Sequence, residues 1–233
     1  MAFPEVPWVF VYRDTVEIMQ SHWKGRETTT TALTTLNSRG NSPVCARNYQ
    51  TSPEHQPATT LQVIKDARKS VKDLNKVEYC AAHLAGLSLS AIHEYDRTSQ
   101  SSSGRDNDND HGNGHDNSHG HGCGRFVDYH QMPEIVWNEI LPHHFGVNPL
   151  PTTAIANMEK TAFVYSKGRG EKANQEWNED SSKKQQSATP EVTRAANEFA
   201  GSVYERMTEL SSSASSKEKS SSSSSSLYCT SKE

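Results

Sequence analysis

Hydrophobic positions gather in short patterned stretches separated by long polar ones. The first, Trp8-Val9-Phe10-Val11-Tyr12-Arg13-Asp14, is an apolar run rich in β-branched and aromatic residues after Pro7, and it predicts a buried strand. The residues that follow, from Thr15 through Ser21, predict a helix. Asp14 or Thr15 can cap it, Glu17 falls in the first turn where the helix dipole favours a carboxylate, and Val16, Met19 and Trp23 share an apolar face. A strand running into a helix is the elementary step of an α/β fold.

Residues 59–95 carry helical periodicity. Leu61, Ile64, Ala67, Val71 and Leu74 recur every three or four residues, against Lys65, Arg68, Lys69 and Lys72 on a face expected to be solvated. A second series, Val77, Ala81, Leu84, Ala85, Leu87 and Ile92, is broken only by Gly86. Residues 125–129 predict a short strand. Pro133-Glu134 then opens a helix through Ile135, Val136, Trp137, Ile140 and Leu141, ended by Pro142 and Phe145-Gly146. Thr189 and Pro190 start a last helix with Val192, Ala196, Phe199, Val203, Met207 and Leu210 on its buried side.

The polar stretches set the domain plan. Residues 24–57 read as a loop or extended excursion. Residues 98–124, built from Ser, Asp, Asn, Gly and His, and the Ser-rich tail 211–233 have too few apolar groups to offset the entropy of ordering and are expected to be disordered. Residues 1–97 and 125–210 are then two parts of one α/β domain. With 33% hydrophobic residues and a mean hydropathy of −0.81 over 233 residues, the core should be smaller than the length suggests.

A net charge of −4 gives no general attraction to nucleic acid or to an anionic membrane, so a phosphate site needs a local basic cluster. No apolar run approaches the length of a transmembrane helix. The chain opens almost directly on a core strand, which leads to the expectation that a missing amino-terminal segment or a partner chain supplies the rest of the fold. A chain complete as given would be cytoplasmic; otherwise the compartment is open.

Cys45, Cys80, Cys123 and Cys229 form no metal-ligand pairs, and free thiols are the default reading, with a Cys45–Cys80 disulfide left open. His83 and His93 do not share a helical turn. His111, His115, His119, His121 and Cys123 offer ligands for zinc, nickel or copper, but the intervening glycines argue against a preformed site, and a passive loop is favoured.

Candidate chemistry centres on Arg13 and Ser21. An arginine at the carboxyl end of a strand, beside a helix N-terminus, offers its planar fork to a phosphate, and a serine on the helix can close the other side. The competing reading is an ion pair of Arg13 with Asp14 or Glu17, with Ser21 facing solvent. Further along, Lys167, Gly168 and Arg169 lie in a glycine-punctuated basic loop suited to an anion.

The run from Pro7 to Ser21 resembles the 3′-phosphate-binding segment of the sulfotransferase superfamily, which uses 3′-phosphoadenosine 5′-phosphosulfate (PAPS). That segment is a strand ending in arginine, followed by a helix with serine eight positions later, as here; Thr15 stands where the family usually has proline. The stretch from Tyr129 to His144-Phe145-Gly146-Val147 resembles a second family segment, whose strand-end tyrosine lies near the adenine; His130 replaces its acidic residue. The loop 165–172, with Trp177 beyond it, resembles the carboxy-terminal cofactor loop, and the stretch 42–47 corresponds to a region near the acceptor.

The resemblance implies an incomplete P-loop-like three-layer α/β sandwich, helix-rich with a small parallel sheet. It implies PAPS or adenosine 3′,5′-bisphosphate at Arg13, Ser21, Tyr129, Lys167, Gly168 and Arg169, no metal, and sulfuryl transfer to an unknown hydroxyl or amine acceptor in the intact enzyme. The family's phosphosulfate loop and histidine base lie upstream of the arginine strand, so this chain is expected to be inactive alone. The alternatives are a non-catalytic nucleotide-binding or protein-interaction module and, ranked lower, a metal-binding protein acting through the His-rich insertion.

Overall fold

The structure is a computed structural model and describes residues 6–23, 44–46, 49, 52–101, 123–162, 164 and 181–220. The order is β1 (Trp8–Tyr12), α1 (Thr15–Trp23), α2 (Ala58–Asp66), α3 (Lys76–Ser101), β2 (Gly124–Asp128), a π-helix (Val136–His144), α4 (Thr152–Ala162), α5 (Ser181–Ser187) and α6 (Pro190–Ser220). Short 3₁₀ turns lie at Val44–Ala46, Pro53–His55, Val71–Asp73 and Tyr129–Gln131. Helix predominates, and β1 and β2 pair in a two-stranded parallel sheet, consistent with a helix-rich α/β class.

The chain divides into two compact units, each made from separated stretches. One comprises Tyr12–His93 and Asp180–Glu209; the other comprises Met1–Val11, Glu94–Glu179 and Leu210–Glu233.

The first unit is helical around a single apolar cluster that includes Met19, Ile64, Leu74, Tyr79, Cys80 and Phe199. The two apolar series of residues 59–95 form two helices, α2 and α3, but the first series, which runs on to Leu74, is interrupted: its helix stops before Arg68, whose φ of 57° lies in the left-handed region. The Lys69 N–H donates to the Ile64 carbonyl at 3.1 Å and the Arg68 N–H to the Lys65 carbonyl at 2.8 Å, the paired bonds of a Schellman ending. Apolar spacing survives the break because Ala67, Val71 and Leu74 still pack on the same cluster.

Asn75 restarts the helix through a reciprocal cap. Its Oδ1 accepts from Val77 N and Glu78 N, both at 2.9 Å, while Glu78 Oε2 accepts from Asn75 N at 3.1 Å. Lys69, expected on a solvated face, is instead held by Glu78 at 2.9 Å and Glu198 at 2.7 Å, with its ammonium 5.1 Å from the centre of the Phe199 ring.

Two further features fix α3. Gly86 permits a close crossing with α2: a Cβ there would lie 2.6 Å from Thr60 Oγ1 and 2.7 Å from Thr60 N. Cys80, fully buried, forms a disulfide with Cys45. Cys123 is also disulfide-bonded, which corrects the expectation of free thiols. The bridge ties the turn at Val44–Ala46 to the core, so this part of the expected loop has Cys45 and Ala46 buried. At the end of the unit's sequence, α6 follows its predicted pattern. Val192 N donates to Thr189 Oγ1 at 3.3 Å, and Val192, Ala196, Phe199 and Met207 are buried.

The second unit holds the sheet. Phe126 of β2 meets Trp8, Phe10 and Tyr95 edge-on or tilted, with ring centroids 5.7–5.9 Å apart. Gly124 lies flat against the Trp8 indole, where a Cβ would come within 2.2 Å of Cζ2. The sequence predicts a buried β1, yet Val11 is exposed and Trp8, Val9 and Phe10 are half-buried, because β1 pairs with one strand only among the described residues.

Other boundaries move for local reasons. α3 continues through Ser101, and within its last turns Thr98 and Ser99 return their hydroxyls to the carbonyls of Glu94 and Tyr95. Pro142 does not end its helix: the turn is wound as a π-helix, which is wider than the α-helix in which a proline ring collides with the carbonyl four residues back. Closure comes later, with Phe145 N donating to Ile140 O at 2.9 Å and Gly146 at φ 69°. α6 runs past Leu210 to Ser220.

Candidate functional site

β1 passes into α1 through Arg13 and Asp14. The strand ends at Tyr12, one residue earlier than the apolar run predicts, and Asp14 takes the capping role: its Oδ1 accepts from Val16 N at 2.7 Å and Glu17 N at 3.4 Å. Capping directs α1 so that Met19 and Gln20 are buried, with Val16 packed against the apolar cluster.

Glu17 is drawn inward by the same geometry and is fully buried. A buried carboxylate needs compensation, since burial of an unpaired charge costs several kcal/mol, roughly. Arg13 supplies it through a salt bridge from Nε to Glu17 Oε2, and Gln185 Nε2 of α5 donates to Glu17 Oε1 at 3.0 Å. Arg13 Nη2 donates to Ser181 Oγ at 2.6 Å. Gln20 Nε2 reaches Ser187, at 3.2 Å to its carbonyl and 3.3 Å to its hydroxyl, so α5 lies along α1 and meets two of its polar side chains, Glu17 and Gln20, besides Arg13 just before it.

Of the two sequence readings of Arg13, the ion pair with Glu17 is present, but as a largely buried link with only 16% of the arginine side chain exposed. Ser21 is exposed and donates its hydroxyl to the Glu17 carbonyl at 2.8 Å. Arg13 and Ser21 therefore converge on the same residue, one on its side chain and one on its backbone. Held in this way, the Arg13 guanidinium has a fixed orientation.

Tyr129 belongs to the other compact unit. It opens the 3₁₀ turn after β2, one residue past the strand predicted to contain it, and is half-buried. The preceding Asp128 caps this turn, with Oδ1 accepting from His130 N at 2.9 Å and meeting His130 Nδ1 at 2.8 Å. Arg125, buried in β2, pairs with Glu139. Lys167, Gly168 and Arg169 lie outside the described residues, as do His111, His115, His119 and His121. Among the described residues there is no group of three or more metal-ligating side chains.

The sequence reading missed Ser181 and Gln185. They occupy a polar stretch without apolar periodicity, and nothing local marks α5 as a helix that meets α1. The Arg13–Glu17 spacing of four residues was visible; the burial of Glu17 was not, because its place in the first turn already had a dipole explanation. No protein-family model, curated protein or solved structure matches this chain.

Proposed function

We propose that this chain binds the 3′-phosphate of an adenosine nucleotide at Arg13 and belongs to a sulfotransferase-like enzyme that uses PAPS. The observation that carries the reading is the placement of Arg13: one residue past a parallel strand, at the start of a capped helix, with its guanidinium held by Glu17 and Ser181. A strand-to-helix junction with a fixed guanidinium suits a phosphate. The wider architecture that goes with this reading is a P-loop-like α/β sandwich.

The sequence resemblance further assigns nucleotide-contact roles to Ser21, Tyr129, Lys167, Gly168 and Arg169. Sulfuryl transfer itself is an in-line displacement at a tetrahedral centre and calls for cationic donors and a base at the reacting oxygens. No described residue is assigned that step, so the chain alone is proposed to bind nucleotide without transferring sulfate.

A second reading draws on the complete burial of Glu17: a non-catalytic module in which the Arg13–Glu17 pair only fastens α1. Isothermal titration separates the two. Nucleotide binding requires that adenosine 3′,5′-bisphosphate bind about tenfold or more tightly than adenosine 5′-monophosphate, the increment of a charge-assisted contact to the extra phosphate. Equal or undetectable binding of both leaves the structural reading.

A further inference from the structure

We propose that Ser181 and Gln185 of α5, together with Glu17, are positioning residues for the Arg13 guanidinium; the inference rests on the reading of Arg13 as a ligand of the 3′-phosphate. A guanidinium is a rigid plane on a flexible stem, and its use in binding a phosphate depends on how that plane is turned. Glu17 engages Nε and Ser181 engages Nη2, at 2.6 Å. Two contacts at different nitrogens fix both the rotation about the stem and the tilt of the plane.

Each contact is itself supported. Glu17 is fully buried, and its second oxygen accepts from Gln185 at 3.0 Å, so the carboxylate cannot swing without losing that bond. Ser181, also buried, sits four residues before Gln185, and this spacing puts both side chains on one face of α5. Gln20 anchors the far end of the helix by its bonds to Ser187. α5 therefore reaches Arg13 by two routes, one direct through Ser181 and one through Gln185 and Glu17. Its sequence is wholly polar, and these side-chain bonds to α1 are what its composition supplies in place of apolar packing.

The arrangement has a specific energetic consequence. Preorganised side chains lose less rotational freedom on binding, so removing an orienting contact weakens the ligand although the contact never touches it. The effect must pass through Arg13.

The test is titration calorimetry of the full chain with adenosine 3′,5′-bisphosphate, for wild type, Ser181→Ala, Gln185→Ala, Arg13→Ala and the double variants with Arg13→Ala. Because loss of the Glu17 carboxylate also threatens folding, the α5 variants carry the test, with thermal unfolding as a check that each is folded. Ser181→Ala and Gln185→Ala are expected to weaken binding about 3- to 10-fold each, and to add nothing once Arg13 is alanine. Wild-type affinity in the folded single variants overturns the positioning role while the nucleotide reading stands. A loss of the same size in the Arg13→Ala background shows a general structural effect and likewise overturns it. Absence of binding by the wild type removes the nucleotide reading, and this inference with it.

Discussion

Glu17 keeps its carboxylate fully buried and shares it between Arg13, one helical turn earlier, and Gln185 of α5. A charge in that position stabilises α1 only while its partner is present. Glu17→Ala leaves Arg13 largely buried without its carboxylate, and is expected to cost about 3 kcal/mol in urea unfolding, as for other broken buried pairs. A change below about 1 kcal/mol contradicts the buried character of the link.

Gly86 tests the crossing of α2 and α3. A methyl group there meets the backbone of Thr60 at 2.7–2.8 Å, and backbone cannot step aside as a side-chain tip can. Although alanine favours helix over glycine by about 1 kcal/mol, Gly86→Ala is expected to be net destabilising by about 1–3 kcal/mol. An increase in melting temperature would show that the helices do not approach so closely.

The cluster around Glu78 gives stability a pH dependence. Burial raises the pKa of Glu78, but the N–H of Asn75 and the charges of Lys69 and Arg194 more than offset this, and the net shift is downward from 4.5. A depressed carboxylate contributes stability above its unfolded pKa and loses that contribution as pH falls through the folded value. His83 and His144 are lowered from 6.5, chiefly by burial, so they too favour the folded state at neutral pH and begin to withdraw that support as pH drops below about 6.5. Lys69, raised from 10.5 first by its bond to Glu198, adds stability that is lost only as pH rises through its folded value. Urea midpoints should therefore fall from neutral pH into acid. Wild type and Glu78→Gln should differ at pH 7 and converge below the ordinary carboxylate range; a gap that persists unchanged at pH 2–3, on the order of these pKa values, contradicts the assignment.

The Cys45–Cys80 bridge closes a loop with a sequence separation of 35. By the chain-entropy relation, a loop of that size contributes about 3–4 kcal/mol through the unfolded state. Cys45→Ser with Cys80→Ser should lower stability by a comparable amount, and peptide mapping of the non-reduced protein should recover the two cysteines together. Mapping that finds both as free thiols overturns the bridge.

The sequence made α1 and α6 legible because each carries a cap followed by apolar residues on one face: Asp14 before Val16 and Met19, Thr189 before Val192 and Phe199. The strand-to-helix junction with Arg13 was legible for the same reason. The break at Arg68 was not, since an arginine in the left-handed region carries no signal comparable to glycine and the apolar spacing continues across it. Pro142 misled in the opposite sense: proline normally ends a helix, and only the wider winding around it permits continuation. In the candidate site, Arg13 and Ser21 could be named from spacing, whereas Ser181 and Gln185 are more than 150 positions away. Contacts over such a separation leave no local periodicity to read.

Arg13 is proposed as the ligand of a nucleotide 3′-phosphate, and the most direct measurement is the affinity of adenosine 3′,5′-bisphosphate for wild type and Arg13→Ala. Loss of a charge-assisted phosphate contact is expected to weaken binding by roughly 10- to 100-fold, with Arg13→Lys recovering only part of it because an ammonium lacks the planar fork. Equal affinity of wild type and a folded Arg13→Ala would contradict the claim.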